Sequence, residues 1–228
     1  MSREKKVLVV GTGTIGEPLI GLLSAYGKDL GIDEVMFHKR TPLLTDRSKV
    51  RDLIRRGAKL VTDADRMDAF EDLEVGTAVM NTEEAIEDAS TDIDCTPAGN
   101  KMKEELYNDF AANTDLFIAQ GSEFGFGKMY ARGINDRALI HGEDKFLHVV
   151  SCNTHNISVL LETLALGEGK DNLDHGRFVC IRRANDLSQD TGFLPSPEVG
   201  KHKDPQFGTH HARDAYHLFK TLGLEIGR

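Results

Sequence analysis

The sequence predicts an α/β fold, on three observations. Short apolar runs rich in β-branched residues alternate with segments of helical period. A glycine-rich turn joins the first of these runs to the first helical segment, and the texture changes after residue 120. The 228 residues supply enough chain for one large domain or two modest ones around a buried core.

The elements follow in order. Residues 7–10 (VLVV) form an apolar run suited to a strand buried on both faces. Gly11-Thr-Gly-Thr-Ile-Gly16 comes next, and Leu19, Ile20, Leu22, Leu23 and Tyr26 then recur at helical spacing up to Gly27. Residues 34–38 read as a second strand, which completes a β-turn-helix-β unit. Residues 47–56 are helical, with Val50, Leu53 and Ile54 apolar and Gly57 as the stop. Residues 60–61 and 77–79 read as short strands, and 82–89 as a helix with an acidic first turn. A strand from Thr91 runs into a loop stopped by Pro97, then 101–113 is a helix and 115–119 a buried strand. Beyond it, 121–127 is glycine-rich and 133–145 loop-like. Residues 146–150 form a strand, and 153–166 a helix with Ile157, Leu160, Leu161 and Leu164 on one face. A strand over 175–183 precedes a long polar stretch, 185–209.

Composition excludes several classes. With 28 Lys+Arg against 37 Asp+Glu the net charge is −9, which argues against a nucleic-acid binder. No apolar run approaches the ~18 residues of a membrane-crossing helix. The charged start leads into only the apolar run 7–10, so no secretory segment is expected. Cys95, Cys152 and Cys180 form no CxxC pair, which points away from disulfides and structural zinc and toward a reducing cytoplasm.

The glycine turn carries the first piece of chemistry. Gly11 permits the tight turn, Gly13 lets the backbone approach a pyrophosphate, and Gly16 lets helix pack close on strand. The helix N-terminus then offers free N–H groups to the phosphates. Residues 1–140 are therefore expected to form a Rossmann-type dinucleotide-binding domain. After the second strand the residues are His38-Lys39-Arg40-Thr41-Pro42, with no acid to bind a ribose 2′-hydroxyl. The cations Lys39 and Arg40 suit a 2′-phosphate, so NADP is favoured over NAD. An exposed basic turn is the plainer alternative.

The second piece is Val149-Val-Ser-Cys-Asn-Thr154, where a cysteine sits at a strand-to-helix turn. Amide groups and the positive helix end there would stabilise a thiolate. Ser151, Asn153 and Thr154 surround Cys152 with hydrogen-bonding groups able to hold an oxyanion. With the nucleotide motif upstream, this suggests covalent aldehyde chemistry with hydride transfer. Cys95 and Cys180 read as ordinary strand residues. Arg182 and Arg183 at a strand end suit phosphate oxygens. Four of the nine histidines lie between His202 and His217, including Gly208-Thr-His-His-Ala-Arg-Asp214. No zinc-type ligand set accompanies them, so a phosphate or cofactor contact is expected there and no metal.

Taken in order, GTGTIG, His-Lys-Arg-Thr-Pro42, Cys-Thr-Pro-Ala-Gly99, Ala-Gln-Gly121, Val-Ser-Cys-Asn-Thr154, Ile-Arg-Arg-Ala184 and Thr-His-His-Ala-Arg-Asp214 resemble the archaeal-type (type II) glyceraldehyde-3-phosphate dehydrogenases. The resemblance spans residues 5 to 226. It implies a cytoplasmic enzyme of glycolysis or gluconeogenesis that is homo-oligomeric, a tetramer in the family. Its substrates would be glyceraldehyde 3-phosphate and inorganic phosphate, its cofactor NADP or NAD, and its product 1,3-bisphosphoglycerate. Cys152 would be the nucleophile, with a thioester as intermediate. Ser151, Asn153, Thr154, Arg182 and His210 would bind substrate. Gly11, Gly13, Thr14, Ile15, Gly16, Lys39, Arg40, Gly121, Arg183, His211 and Ala212 would bind the cofactor.

Family members are longer. Their general-base histidine lies in a Leu-Met-His-type segment just beyond the counterpart of residues 222–226, and this sequence has no such segment. Residues 141–228 are thus expected to form a partial, C-terminally short α+β catalytic domain. Three classes of function stay open. The chain is one part of an active dehydrogenase, an inactive NADP-binding paralogue, or another cysteine-dependent semialdehyde or acyl-phosphate reductase.

Overall fold

A computed structural model describes residues 4–167, 172–180 and 204–226. The chain divides into two compact units, the first made of Met1–Lys128 and Ile140–Val149, the second of Met129–Leu139 and Val150–Arg228.

The elements of the first unit alternate along the chain. They are β1 (Lys6–Val10), α1 (Gly16–Tyr26), β2 (Glu34–His38), α2 (Arg47–Arg55), β3 (Lys59–Thr62), α3 (Met67–Asp72), β4 (Met80–Asn81), α4 (Thr82–Asp88) and β5 (Thr91–Asp94). There follow α5 (Gly99–Met102), a π-helical turn (Lys103–Tyr107), α6 (Asn108–Phe110), β6 (Leu116–Gly121) and β8 (Phe146–Val150), while β7 (Lys128–Tyr130) begins on the last residue of the first segment and continues into the second unit. The eight strands share one sheet in the order β4-β3-β2-β1-β5-β6-β8-β7. From β4 to β6 every pair is parallel. This is the α/β architecture expected, compatible with a Rossmann-like fold.

The side-chain period of a strand sorts β1 onto two cores. Val7 and Val9 pack with Ile20 and Leu23 of α1, Val50 and Leu53 of α2 and Phe70 of α3. Leu8 and Val10 point the other way, to Ala85 and Ile86 of α4, Tyr107 and Phe117. Helices cover both faces, so β1 is apolar from Val7 to Val10, while its neighbour β5 also buries the carboxylates of Asp92 and Asp94. Tyr107 stacks on Phe117 with ring centroids 5.1 Å apart and donates its hydroxyl to Asp94 Oδ2 at 2.6 Å. Burial, then the Asp94 charge, holds that phenol far above its usual range.

In the second unit lie α7 (Cys152–Leu161), a π-helical turn (Glu162–Leu166) and α8 (His210–Lys220). Met129, Ala131, Val150 and Leu218 form one small core, and Leu161, Leu166 and Phe219 another. Among the described residues no helix is long and apolar enough to cross a membrane.

Several local expectations are corrected. The strand expected at 77–79 is displaced to Met80–Asn81, because Val75 and Ala78 turn into the core while Val79 is half-exposed. Residues 175–180 are not a strand, and the rest of that segment lies outside the described residues. On α7 and its π-turn, Leu161 is buried but Leu160 and Leu164 are exposed, so the apolar face is narrower than the spacing implied. Helix α8 was not anticipated, since its histidines mask the apolar spacing of Ala215, Leu218 and Phe219.

Candidate functional site

The order β3-β2-β1-β5 reverses the winding direction at β1 and β5, and loops after such strands form a crevice at the carboxyl edge. The glycine turn lies in it. Gly11 has φ +97°, a conformation open to glycine, and its N–H donates to the His38 carbonyl at 3.2 Å. A Cβ on Gly16 would stand 1.9 Å from the Gly11 carbonyl oxygen, so α1 reaches the turn only because that residue is glycine. Nothing lies within 4 Å of where a Gly13 Cβ would be, and Gly13, Thr14 and Ile15 are exposed. No side chain caps α1 at Ile15. A close backbone approach flanked by uncapped helix amides is the form a pyrophosphate requires, and these residues could hold a dinucleotide.

Three side chains at the end of β2 have different fates. His38 is buried, and its Nε2 meets Asp63 Oδ1 at 3.0 Å. Burial pushes its pKa below the ordinary histidine value, against the pull of Asp63. Lys39 is also buried and donates to Asp46 Oδ2 at 2.6 Å, which holds the Asp46 carboxyl below its usual value. Arg40 stays exposed, with Nε 3.6 Å from Asp63 Oδ2. Of the two expected phosphate-binding cations, Arg40 therefore remains open to solvent while Lys39 is committed to an internal ion pair. Lys49 of α2 donates to the Thr12 carbonyl at 3.4 Å and tethers the turn. Sequence reasoning missed Asp63 and Lys49. An acid two residues after the strand expected at 60–61 was the available signal for the first, whereas the second is a contact across 37 residues.

Cys95 follows β5 against this turn, with its Cβ 3.4 Å from the position a Gly16 Cβ would take. Burial, and then the Asp94 charge, pushes its thiol up to about 11. Gly121, at the end of β6, has φ +87° and accepts a hydrogen bond from His148 Nε2 at 2.8 Å.

In the second unit Cys152 is exposed and is the first residue of α7. Ser151 is the N-cap, accepting from the Thr154 N–H at 3.3 Å. Thr209 caps α8 in the same way, accepting from the Ala212 N–H at 3.3 Å. His211, in the first turn of α8, bridges to α7. Its Nδ1 lies 3.1 Å from Ser151 Oγ and 3.5 Å from Thr154 Oγ1, and its Nε2 lies 3.3 Å from Asn153 Nδ2. An amide nitrogen only donates, so Nε2 accepts and the neutral ring carries its proton on Nδ1, donating to Ser151. Ser151, Asn153, Thr154 and His211 are thus brought together around the Cys152 backbone. His210 lies beside His211, with ring centroids 3.8 Å apart and the rings tilted by 47°. His155, three residues after Cys152, turns away to the Arg132 carbonyl at 3.0 Å. Arg182 and Arg183 lie outside the described residues. Among the described residues no group of three or more His, Cys, Asp or Glu could hold a metal ion.

The chain matches no protein-family model and, at a significant level, no curated protein. Its residues carry the reading. They offer a turn shaped for a dinucleotide in the first unit, and in the second an exposed thiol held between two hydrogen-bonded polar neighbours.

Proposed function

We infer that this chain oxidises glyceraldehyde 3-phosphate to 1,3-bisphosphoglycerate, with inorganic phosphate and NADP or NAD, through a thioester on Cys152. The observation that carries the reading is the placing of Cys152. It is exposed at the start of α7, and the residues on either side of it are both hydrogen-bonded to His211. The glycine turn and the exposed Arg40 support the cofactor part. The second unit is read as part of an α+β catalytic domain, and the protein as a cytoplasmic homo-oligomer.

Cys152 Sγ, as thiolate, attacks the aldehyde carbon, and the carbonyl oxygen takes up a proton to give a thiohemiacetal. One N–H of the Asn153 amide is engaged by His211, which leaves its second N–H to donate to the developing oxyanion. The dinucleotide, when bound, supplies the acceptor for the hydride leaving that carbon. The hydroxyl proton is released to solvent, and the substrate carbon reaches the oxidation level of a thioester. Phosphate oxygen then attacks it, the C–S bond breaks, and Cys152 leaves as thiolate with the acyl phosphate as product. Ser151 holds the helix start rigid throughout, because its Oγ is fixed by the Thr154 N–H and by His211.

The test is reduction of NADP by the purified chain with glyceraldehyde 3-phosphate and phosphate, followed at 340 nm. Activity in the wild type and none in Cys152→Ser is expected. Equal activity in the two proteins overturns the assignment.

A further inference from the structure

The end of β2 carries no acid, yet an acid stands beside it. Asp63 follows the last residue of β3, the strand that pairs in parallel with β2 through His38↔Val61. Its carboxylate is held in place by two side-chain partners on one oxygen. Thr82 Oγ1 donates to Oδ1 at 2.7 Å and His38 Nε2 at 3.0 Å. The other oxygen, Oδ2, faces the Arg40 guanidinium at 3.6 Å, and the Asp63 side chain is about one-third exposed at 34%. Burial draws the Asp63 carboxyl upward, but the bonds from Thr82 and His38 and the charges of His38 and Arg40 outweigh it, so the carboxylate form is favoured. The crevice edge therefore presents a fixed anion next to an exposed cation, both beside the strand end that flanks the glycine turn.

We propose that Asp63 is a selectivity residue of the dinucleotide site, supplying from β3 the carboxylate that accepts the ribose 2′-hydroxyl of NAD, while Arg40 takes the 2′-phosphate of NADP. This rests on the cofactor reading above. A 2′-hydroxyl is a donor and suits Oδ2, whereas a 2′-phosphate is repelled by the carboxylate and drawn to the neighbouring guanidinium. The Arg40–Asp63 pair is open to solvent on its Arg40 side, so separating it costs little and either partner can turn to the ligand. One site thereby reads both nucleotides, with selectivity set by the balance of one anion against one cation.

The test is direct binding of NADH and NADPH to the full chain, by nucleotide fluorescence with no substrate present. Wild type is expected to bind both. Asp63→Asn should weaken NADH about tenfold and leave NADPH within about twofold or tighter, as expected for loss of one charge-assisted hydrogen bond. Arg40→Ala, on the exposed partner, should weaken NADPH about tenfold and leave NADH within about twofold. If Asp63→Asn or Arg40→Ala changes both nucleotides alike, or neither, the selectivity role is overturned while the cofactor reading stands. If wild type binds neither nucleotide, the cofactor reading falls and the Asp63 role with it. Should Asp63→Asn not fold, the Arg40→Ala result decides.

Discussion

The side-chain amide of Asn153 donates to Nε2 of His211 at 3.3 Å, joining the first turn of α7 to the first turn of α8 across 58 residues. Because the amide is the donor, the imidazole is neutral with its proton on Nδ1, and that proton goes to Ser151. The residues on both sides of Cys152 thus depend on one ring.

His211→Ala should cost about 1–2 kcal/mol of stability, the worth of two part-buried hydrogen bonds. It should also lower kcat by about a hundredfold if misplacement of the Cys152 turn governs the chemistry. Thermal melts and steady-state rates on the same preparation separate the two effects. A variant with unchanged rate would show that the ring does not orient the thiol.

The glycine turn gives a paired test. Gly16→Ala drives a Cβ to 1.9 Å from the Gly11 carbonyl oxygen, and backbone cannot yield there cheaply. A loss of several kcal/mol and poor folding are expected. Gly13→Ala meets nothing within 4 Å, so its melting temperature should change by only a few degrees while nucleotide binding is lost. Circular dichroism melts alongside NADPH titration read both outcomes.

Thiol accessibility separates Cys95 from the other two. Cys152 and Cys180 are exposed, whereas Cys95 is half-buried with a pKa of about 11. At pH 8 only about one Cys95 in a thousand is thiolate. Mass spectrometry after brief iodoacetamide treatment should find Cys152 and Cys180 modified and Cys95 intact. Labelling of Cys95 as fast as Cys152 would contradict its packing beneath the glycine turn.

Acid should weaken the first unit through His38. Its folded pKa is depressed by burial, so the folded state binds fewer protons than the unfolded one. Its contribution is present above the ordinary histidine value near 6.5 and is lost as the pH falls through the depressed folded value. The slope contributed by this group is at most about 1.4 kcal/mol per pH unit, the limit for one proton. Urea midpoints from pH 7.5 to 5 should decline in the wild type and flatten in His38→Gln. A parallel decline in both proteins would place the titration elsewhere.

Much of this was legible from local pattern. The run 7–10, the glycines at 11, 13 and 16 and the helical spacing from Leu19 to Tyr26 identify β1, the turn and α1 before any contact is known. The strand–turn–helix placing of Cys152 is legible for the same reason, since Ser151 is a favoured cap and the apolar run before it ends there. Of the strand expected over 175–183, the described part, 175–180, is not a strand, because a short apolar run, Phe178 to Cys180, has the composition of a strand whether or not a neighbouring strand pairs with it.

Local pattern suffices for the α/β alternation, the glycine turn after β1 and the place of Cys152 at the start of its helix. Each is set by steric and hydrogen-bonding preferences over a few consecutive residues. Long-range packing sets which charges are available. Lys39 and Arg40 are neighbours in sequence, but Lys39 is drawn inward to Asp46 while Arg40 stays outside beside Asp63. Likewise His211 reaches Ser151 and Asn153 only because α7 and α8 bring their first turns together. Such pairings join residues from 7 to 60 positions apart, and sequence spacing does not encode distance across a folded core.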